Sequence, residues 1–201
     1  MEQTFPKETH VDTQTSLSQD TIDRFVGACH GDAATVMGLL EEYPDLAHSV
    51  ATWGETPIEA AAQMANMEIM EMLIAQGAPI DICTAASLGR ADLVEDLLDD
   101  DPALKDATGA HGIPVLYFPT IVGRQDIAAT LFSAGADVNA GTGAMTPLHG
   151  AALFGRAAMA RWLLHHGADY SAFDYEGKTP LQVAVARGHS EVASLLLDVT
   201  P

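Results

Sequence analysis

Cysteine is almost missing from this chain: Cys29 and Cys83 are the only two in 201 residues. Two thiols build no disulfide framework, so the fold must rest on its apolar core, and a reducing, cytoplasmic setting is expected. Cations are scarce as well, 9 Lys and Arg against 28 Asp and Glu, for a formal net charge of −19. Phosphate binding needs cationic side chains that displace counterions, so nucleic acid is set aside as a partner. An anionic membrane surface is expected to repel the chain for the same reason. Its weakly charged stretches are interrupted by Gly and Pro, which leaves no membrane span. The opening MEQTFPKETHVDTQ lacks a basic head followed by an apolar run, so no signal peptide is read there.

The motifs of common chemistries are missing too. There is no Cys-x-x-Cys, His-Glu-x-x-His or Gly-x-Ser-x-Gly, and no Gly-rich phosphate or dinucleotide fingerprint. No catalytic residue, metal site or cofactor is therefore expected, and the chain is not read as an enzyme. Asp99, Asp100 and Asp101 form an acidic run beside Pro102, but a calcium loop needs ligands alternating over about twelve positions. His165 and His166 are adjacent near a helix end and point apart, where a cation is favourable without any ligand role.

What the chain does have is repetition. TPLHGAALFGRAAMARWLLHHGAD (146–169) and TPLQVAVARGHSEVASLLLD (179–198) align at a spacing of 33, and TPIEAAAQMANMEIMEMLIAQGA (56–78) keeps the same frame with Ala65 in the glycine position. In each unit Thr suits a helix cap, Pro the first helical position, and a small Ala pair allows close helix approach. A glycine then ends the short helix in a left-handed conformation. A second helix follows, with apolar residues at helical spacing, as in Ile69, Met70, Leu73 and Ile74. Two such helices cannot bury their faces alone, so the units must stack.

This pattern resembles the ankyrin repeat, with its Thr-Pro-Leu-His-x-Ala signature. Aligning the inter-helix position gives Gly31, Ala65, Gly89, Gly123, Gly155 and Gly188, each followed eight and nine residues later by an apolar pair. The resemblance implies an all-α solenoid of about six helix-turn-helix units over residues 20–201, with short projecting β-hairpin fingers. Residues 1–19 are polar and aperiodic and read as a flexible tail.

Two departures stand out. The intervals between aligned positions are 34, 24, 34, 32 and 33, and the short one leaves no room for a finger near 78–84. A longer repeat at an offset of 58 pairs Gly31 with Gly89, Leu39 with Leu97 and Pro44 with Pro102, so the first four units look like a duplicated pair.

Proteins resembling ankyrin arrays bind partners on the concave face made by first helices and fingers. The positions that match are apolar in the middle units: Met64, Leu88, Ile121, Val122, Leu153 and Phe154, with Trp53, His111, Met145 and Tyr175 on the neighbouring finger segments. Such a row is either an interaction surface or is covered by neighbouring helices. In HGIPVLYFPTIVGR (111–124), Pro114 suits a first helical position, and Pro119 then falls inside the helix, predicting a broken or bulged element. Tyr117 and Phe118 either fill a junction beside the missing finger or face a ligand. His149 is expected to bond a neighbouring loop, and His111 is the best candidate for a polar contact. The expected function is thus a non-enzymatic scaffold that binds an unknown protein partner in its groove, as a monomer or weak homo-oligomer. The alternative is a small-ligand protein or enzyme with a pocket around His111, Tyr117, Phe118 and Phe154.

Overall fold

The computed structural model describes residues 17–199, so the expected tail lies outside the described residues up to residue 16. Among the described residues, twelve α-helices fall into six pairs. They are α1 (Gln19–Ala28) with α2 (Ala33–Glu42), α3 (Pro57–Gln63) with α4 (Met67–Ala75), and α5 (Ile82–Ser87) with α6 (Ala91–Asp100). Then come α7 (Tyr117–Val122) with α8 (Gln125–Ser133), α9 (Pro147–Leu153) with α10 (Ala157–His165), and α11 (Pro180–Ala186) with α12 (Ser190–Val199). First helices stack on first helices to form an inner row, and second helices on second helices behind them.

The caps explain where the inner helices begin. Thr56, Thr146 and Thr179 each precede a proline at the start of α3, α9 and α11. Each threonine hydroxyl accepts from the amide three residues on, and Glu59, His149 or Gln182 accepts from the threonine amide in return. His149 also reaches the next finger, its Nε2 donating to the Lys178 carbonyl at 3.0 Å, as expected for this position. Asp81 does the capping alone at α5, accepting from the Thr84 amide at 2.7 Å. That cap follows Gly77 after only three residues, so no finger projects from the third unit. The other fingers are single turns. Among the described residues no strand forms, and the pairing is one antiparallel bridge, Thr108–Pro114.

The offset of 58 is visible as well: α2 and α6 both run into short 3₁₀ stretches at proline, Pro44–His48 and Pro102–Asp106. The inner glycines at 89, 123, 155 and 188 are left-handed as expected, and Ala65 follows them at φ 53° despite its methyl group. Gly31 does not follow them. The turn after α1 closes instead through its amide on the Ala28 carbonyl at 3.0 Å.

Pro119 is not interior to a helix, which corrects the expectation from sequence. α7 starts at Tyr117, three residues later than the frame predicts, after a turn in which the Tyr117 amide bonds the Pro114 carbonyl at 2.9 Å. Pro119 is then the third helical residue, where an amide has no partner within the helix anyway, so its missing hydrogen costs nothing.

The core lies between the two rows. Ala60, Ala61, Ala85, Ala86, Ala151 and Ala152 are buried along the inner row, and Ile69, Leu73, Val94, Ile127, Leu131, Leu163 and Leu196 come from the outer one. A ladder of side-chain to backbone hydrogen bonds ties successive units. Arg124 donates to the Gly89 carbonyl, Arg156 Nε to the Ile121 carbonyl at 2.8 Å, and His189 Nε2 to the Leu153 carbonyl at 3.1 Å. Glycine is required beneath that ladder: a Cβ on Gly155 would stand 2.6 Å from the His189 ring. Replacing Arg156 by Ala removes one rung and is expected to cost about 1 kcal/mol. Urea unfolding followed by circular dichroism checks this; an unchanged midpoint would show the rung to be idle.

Candidate functional site

Along the inner row carboxylates stop after α3, which carries Glu59 where α1 carries Asp20 and Asp23. The inner helices α5, α7, α9 and α11 contain no Asp or Glu. The outer helix α6 alone carries Asp92, Glu95, Asp96, Asp99 and Asp100. The inner face is therefore the apolar one, and it opens into a concavity of about 480 Å³. Its apolar end is built by Met64, Ile113, Tyr117, Met145, Leu153 and Tyr175, and its polar end by His30, Gln63 and His111. A smaller cleft of about 170 Å³ shares Met64, Met145, Leu153 and Tyr175 and extends the surface to Arg187.

Beneath the polar end lies Glu55, 1% exposed. Trp53 Nε1 donates to its Oε2 at 2.7 Å, and Gln63 Nε2 to its Oε1 at 2.6 Å. His30 Nε2 stands 3.4 Å and His111 Nε2 3.6 Å from the same Oε1. Burial pushes the Glu55 carboxyl up, but the hydrogen bonds from His30 and Trp53 and the nearby imidazole charge outweigh it and hold the group below its ordinary range. The Glu55 hydrogen bond correspondingly raises His30 against the opposing effect of its own burial. The cluster depends on the missing finger. With nothing projecting from the third unit, the finger at Ala110–Gly112 packs on α3, and His111, at φ 57°, reaches Glu55 directly.

The structure sorts the residues singled out from sequence. Met64, His111, Tyr117, Met145, Leu153 and Tyr175 meet in the concavity, with Tyr175 70% exposed at its mouth. Trp53 stays on the surface of its finger, held by Glu55. Leu88 and Val122 line a different depression with Met67, Arg124 and Arg156, so the expected continuous row is split. Phe154 is half-buried at the end of α9 and Phe118 is 2% exposed. Phe118 leaves the list of contact residues, because its ring packs over Gly109 inside the array. The pocket expected around His111, Tyr117, Phe118 and Phe154 therefore does not form; only His111 and Tyr117 share a cavity. Tyr117 is its floor, edge-on to Phe118 at 5.6 Å.

Glu55 was missed, and His30 and Gln63, which lie just before the aligned positions Gly31 and Ala65 on the inner face, were left out of the apolar binding row. The signal was present for two of them: His30 and Gln63 occupy neighbouring units 33 residues apart, and their nitrogens lie 2.7 Å from each other. Cys29 and Cys83 are buried free thiols, and burial with the charge of Glu55 pushes Cys29 up to about 12, far from a nucleophilic range. No helix among the described residues is long and apolar enough to cross a membrane.

Comparison with known proteins agrees with this architecture. Residues 148–197 match the family described as ankyrin repeats in many copies, and residues 53–85 match the single ankyrin repeat. The chain is 33% identical over 128 residues to ankyrin repeat and SOCS box protein 11 of Danio rerio, a match covering 64% of this chain and 35% of that protein. It is 38% identical over 114 residues to an ankyrin repeat-containing protein of Treponema pallidum (strain Nichols), covering 55% and 37% respectively. A shorter match, 51% identical over 53 residues, is to the ARF GTPase-activating protein Git of Drosophila melanogaster, covering 26% of this chain and 7% of that protein. The chain thus spans at most 37% of the length of these relatives, and only 7% of the Drosophila protein.

Proposed function

This chain belongs to the ankyrin-repeat family, whose repeats are protein–protein interaction modules, and we propose that it binds a protein partner on its inner face through Met64, His111, Met145, Leu153 and Tyr175. Trp53 extends that surface on the finger of the second unit, and Tyr117 supplies its floor. Leu88, Val122 and Phe154 lie outside it. The role is one of binding, carried by a monomer or a weak homo-oligomer in a reducing, cytoplasmic compartment, where two buried free thiols stay reduced.

The observation that carries this reading is the division of the surface. Carboxylates crowd the outer helix α6, whereas the inner helices from α5 onward offer open apolar area around a shaped concavity. Contiguous exposed apolar surface marks an interaction site more than isolated residues do.

Met64→Ser combined with Leu153→Ser is expected to abolish capture of the partner from source lysate while helicity is retained. Met37→Ser, an exposed residue of the outer row, serves as the control and is expected to capture normally. Undiminished capture by the folded double variant would overturn the inner-face assignment.

A further inference from the structure

The partner's chemistry can be read from which charges on the inner face are left open. Two carboxylates lie at the concavity and its side cleft in buried positions, and both are engaged. Glu55 is held by Trp53 and Gln63, and Asp174 accepts the Glu176 and Lys178 amides at 2.8 Å each. Glu176 is paired with Lys178. Arg187, at the end of α11, is different: it is exposed, lines the side cleft, and has no ion pair among the described residues. It shares the side cleft with Met64, Met145, Leu153 and Tyr175, which also line the concavity. At the opposite end stand the imidazoles of His30 and His111.

The net charge of −19 would argue for a basic partner if it acted here. The outer-row carboxylates, however, are separated from the inner face by a helix pair, and one helix with side chains is about 10–12 Å across. The Debye length at physiological salt is about 8 Å. Charges at that remove are screened, so the charges at the cleft weigh most, and among them Arg187 is the exposed one outside any ion pair.

We propose that the concavity receives a short acidic segment of the partner, one bulky apolar side chain seated among Met64, Met145 and Leu153 and a neighbouring carboxylate on Arg187. An arginine suits this because its planar fork can hold a carboxylate with two parallel hydrogen bonds. A volume of about 480 Å³ accommodates a few residues of a segment rather than a folded surface. The proposal rests on the inner face being the binding face, and its test separates the two.

Three dye-labelled peptides serve as probes against the full chain in fluorescence anisotropy. Each has a central Leu within Gly-Ser arms, flanked on both sides by Asp-Glu, by Asn-Gln, or by Lys-Lys. The acidic peptide is expected to bind about tenfold more tightly than the amide one, and the lysine peptide not at all over the same range. Raising the salt should weaken the acidic peptide and leave the amide one unchanged. Arg187→Gln should lower acidic-peptide affinity about fivefold and spare the amide peptide, whereas Met64→Gln should weaken both. Equal or tighter binding of the lysine peptide, or an Arg187→Gln variant that binds the acidic peptide normally, overturns the acidic segment and leaves the inner face standing. Binding untouched by Met64→Gln overturns the inner face with it. No binding by any peptide up to about 1 mM overturns the acidic segment alone, since the lysate capture then still judges the face.

Discussion

Phe118→Ala is expected to destabilise the array by about 3–5 kcal/mol, at the upper end for a core aromatic. The side chain lies inside the array, on the short helix α7. Its ring tip covers Gly109 so closely that a Cβ there would come within 2.8 Å of Cζ. The cost of a truncation depends on how far the surroundings can collapse into the space left. Here one wall is a glycine with no side chain to move inward. Tyr117, the edge-on neighbour, is itself pinned against Gly150, whose added Cβ would meet the Tyr117 ring at 2.8 Å. Domains of this size have about 5–15 kcal/mol in total, so the variant should lose about a fifth or more of its stability. Urea denaturation should show a lower midpoint, with Phe118→Leu falling between the two. A loss below about 1 kcal/mol would contradict the wedge described for this ring.

The second large effect is expected at Glu55. Glu55→Ala removes the acceptor for Trp53 and Gln63 and the counter-charge for His30 and His111. His111 and Trp53 are exposed enough to turn to water, whereas the buried Gln63 amide keeps His30 as its one side-chain partner. A total of about 2–4 kcal/mol follows, with Glu55→Gln intermediate because it retains one acceptor oxygen. The dependence on pH has a definite sign. Glu55 is held below its ordinary 4.5, so its contribution is present above that pH and is lost as pH falls through the lowered value. His30 is raised above 6.5, so its contribution is complete below that pH and is lost as pH rises through the raised value. The stability difference between the native chain and Glu55→Gln should therefore be greatest between pH 4.5 and 6.5 and shrink on either side. Thermal melts of both proteins from acid to alkaline pH check it; a flat difference would mean the carboxylate acts only as a neutral spacer.

Most of the architecture was legible in the sequence because each unit repeats the same physical instructions. Thr-Pro caps, small inner residues and apolar outer pairs recur at nearly constant spacing, so one well-read unit locates the others. The missing finger could be read from one short interval for the same reason. The inward packing of Tyr117 and Phe118 was not legible. Starting α7 at Tyr117 instead of after Pro114 turns every later side chain about the helix axis, and that start goes with contacts to Gly109 in the preceding finger and to Gly150 in the next unit. Glu55 was missed on different grounds. Its partner His111 belongs to the next unit but one, and repeat spacing describes only how adjacent units meet.

A stack of repeats ordinarily behaves like a row of dominoes, each unit sensing only the two beside it, so that ends fray independently of the middle. The missing third finger breaks that rule, because it lets the fourth unit grip the second across the gap. Opening the third unit then requires releasing a bond it does not itself contain. The second, third and fourth units are thereby bound into one melting block, while the last two remain free to fray from the carboxyl end. The concavity has Gln63 and His111 on that block and Leu153 and Tyr175 beyond it, so a partner that fills it would couple the fraying end to the rigid one.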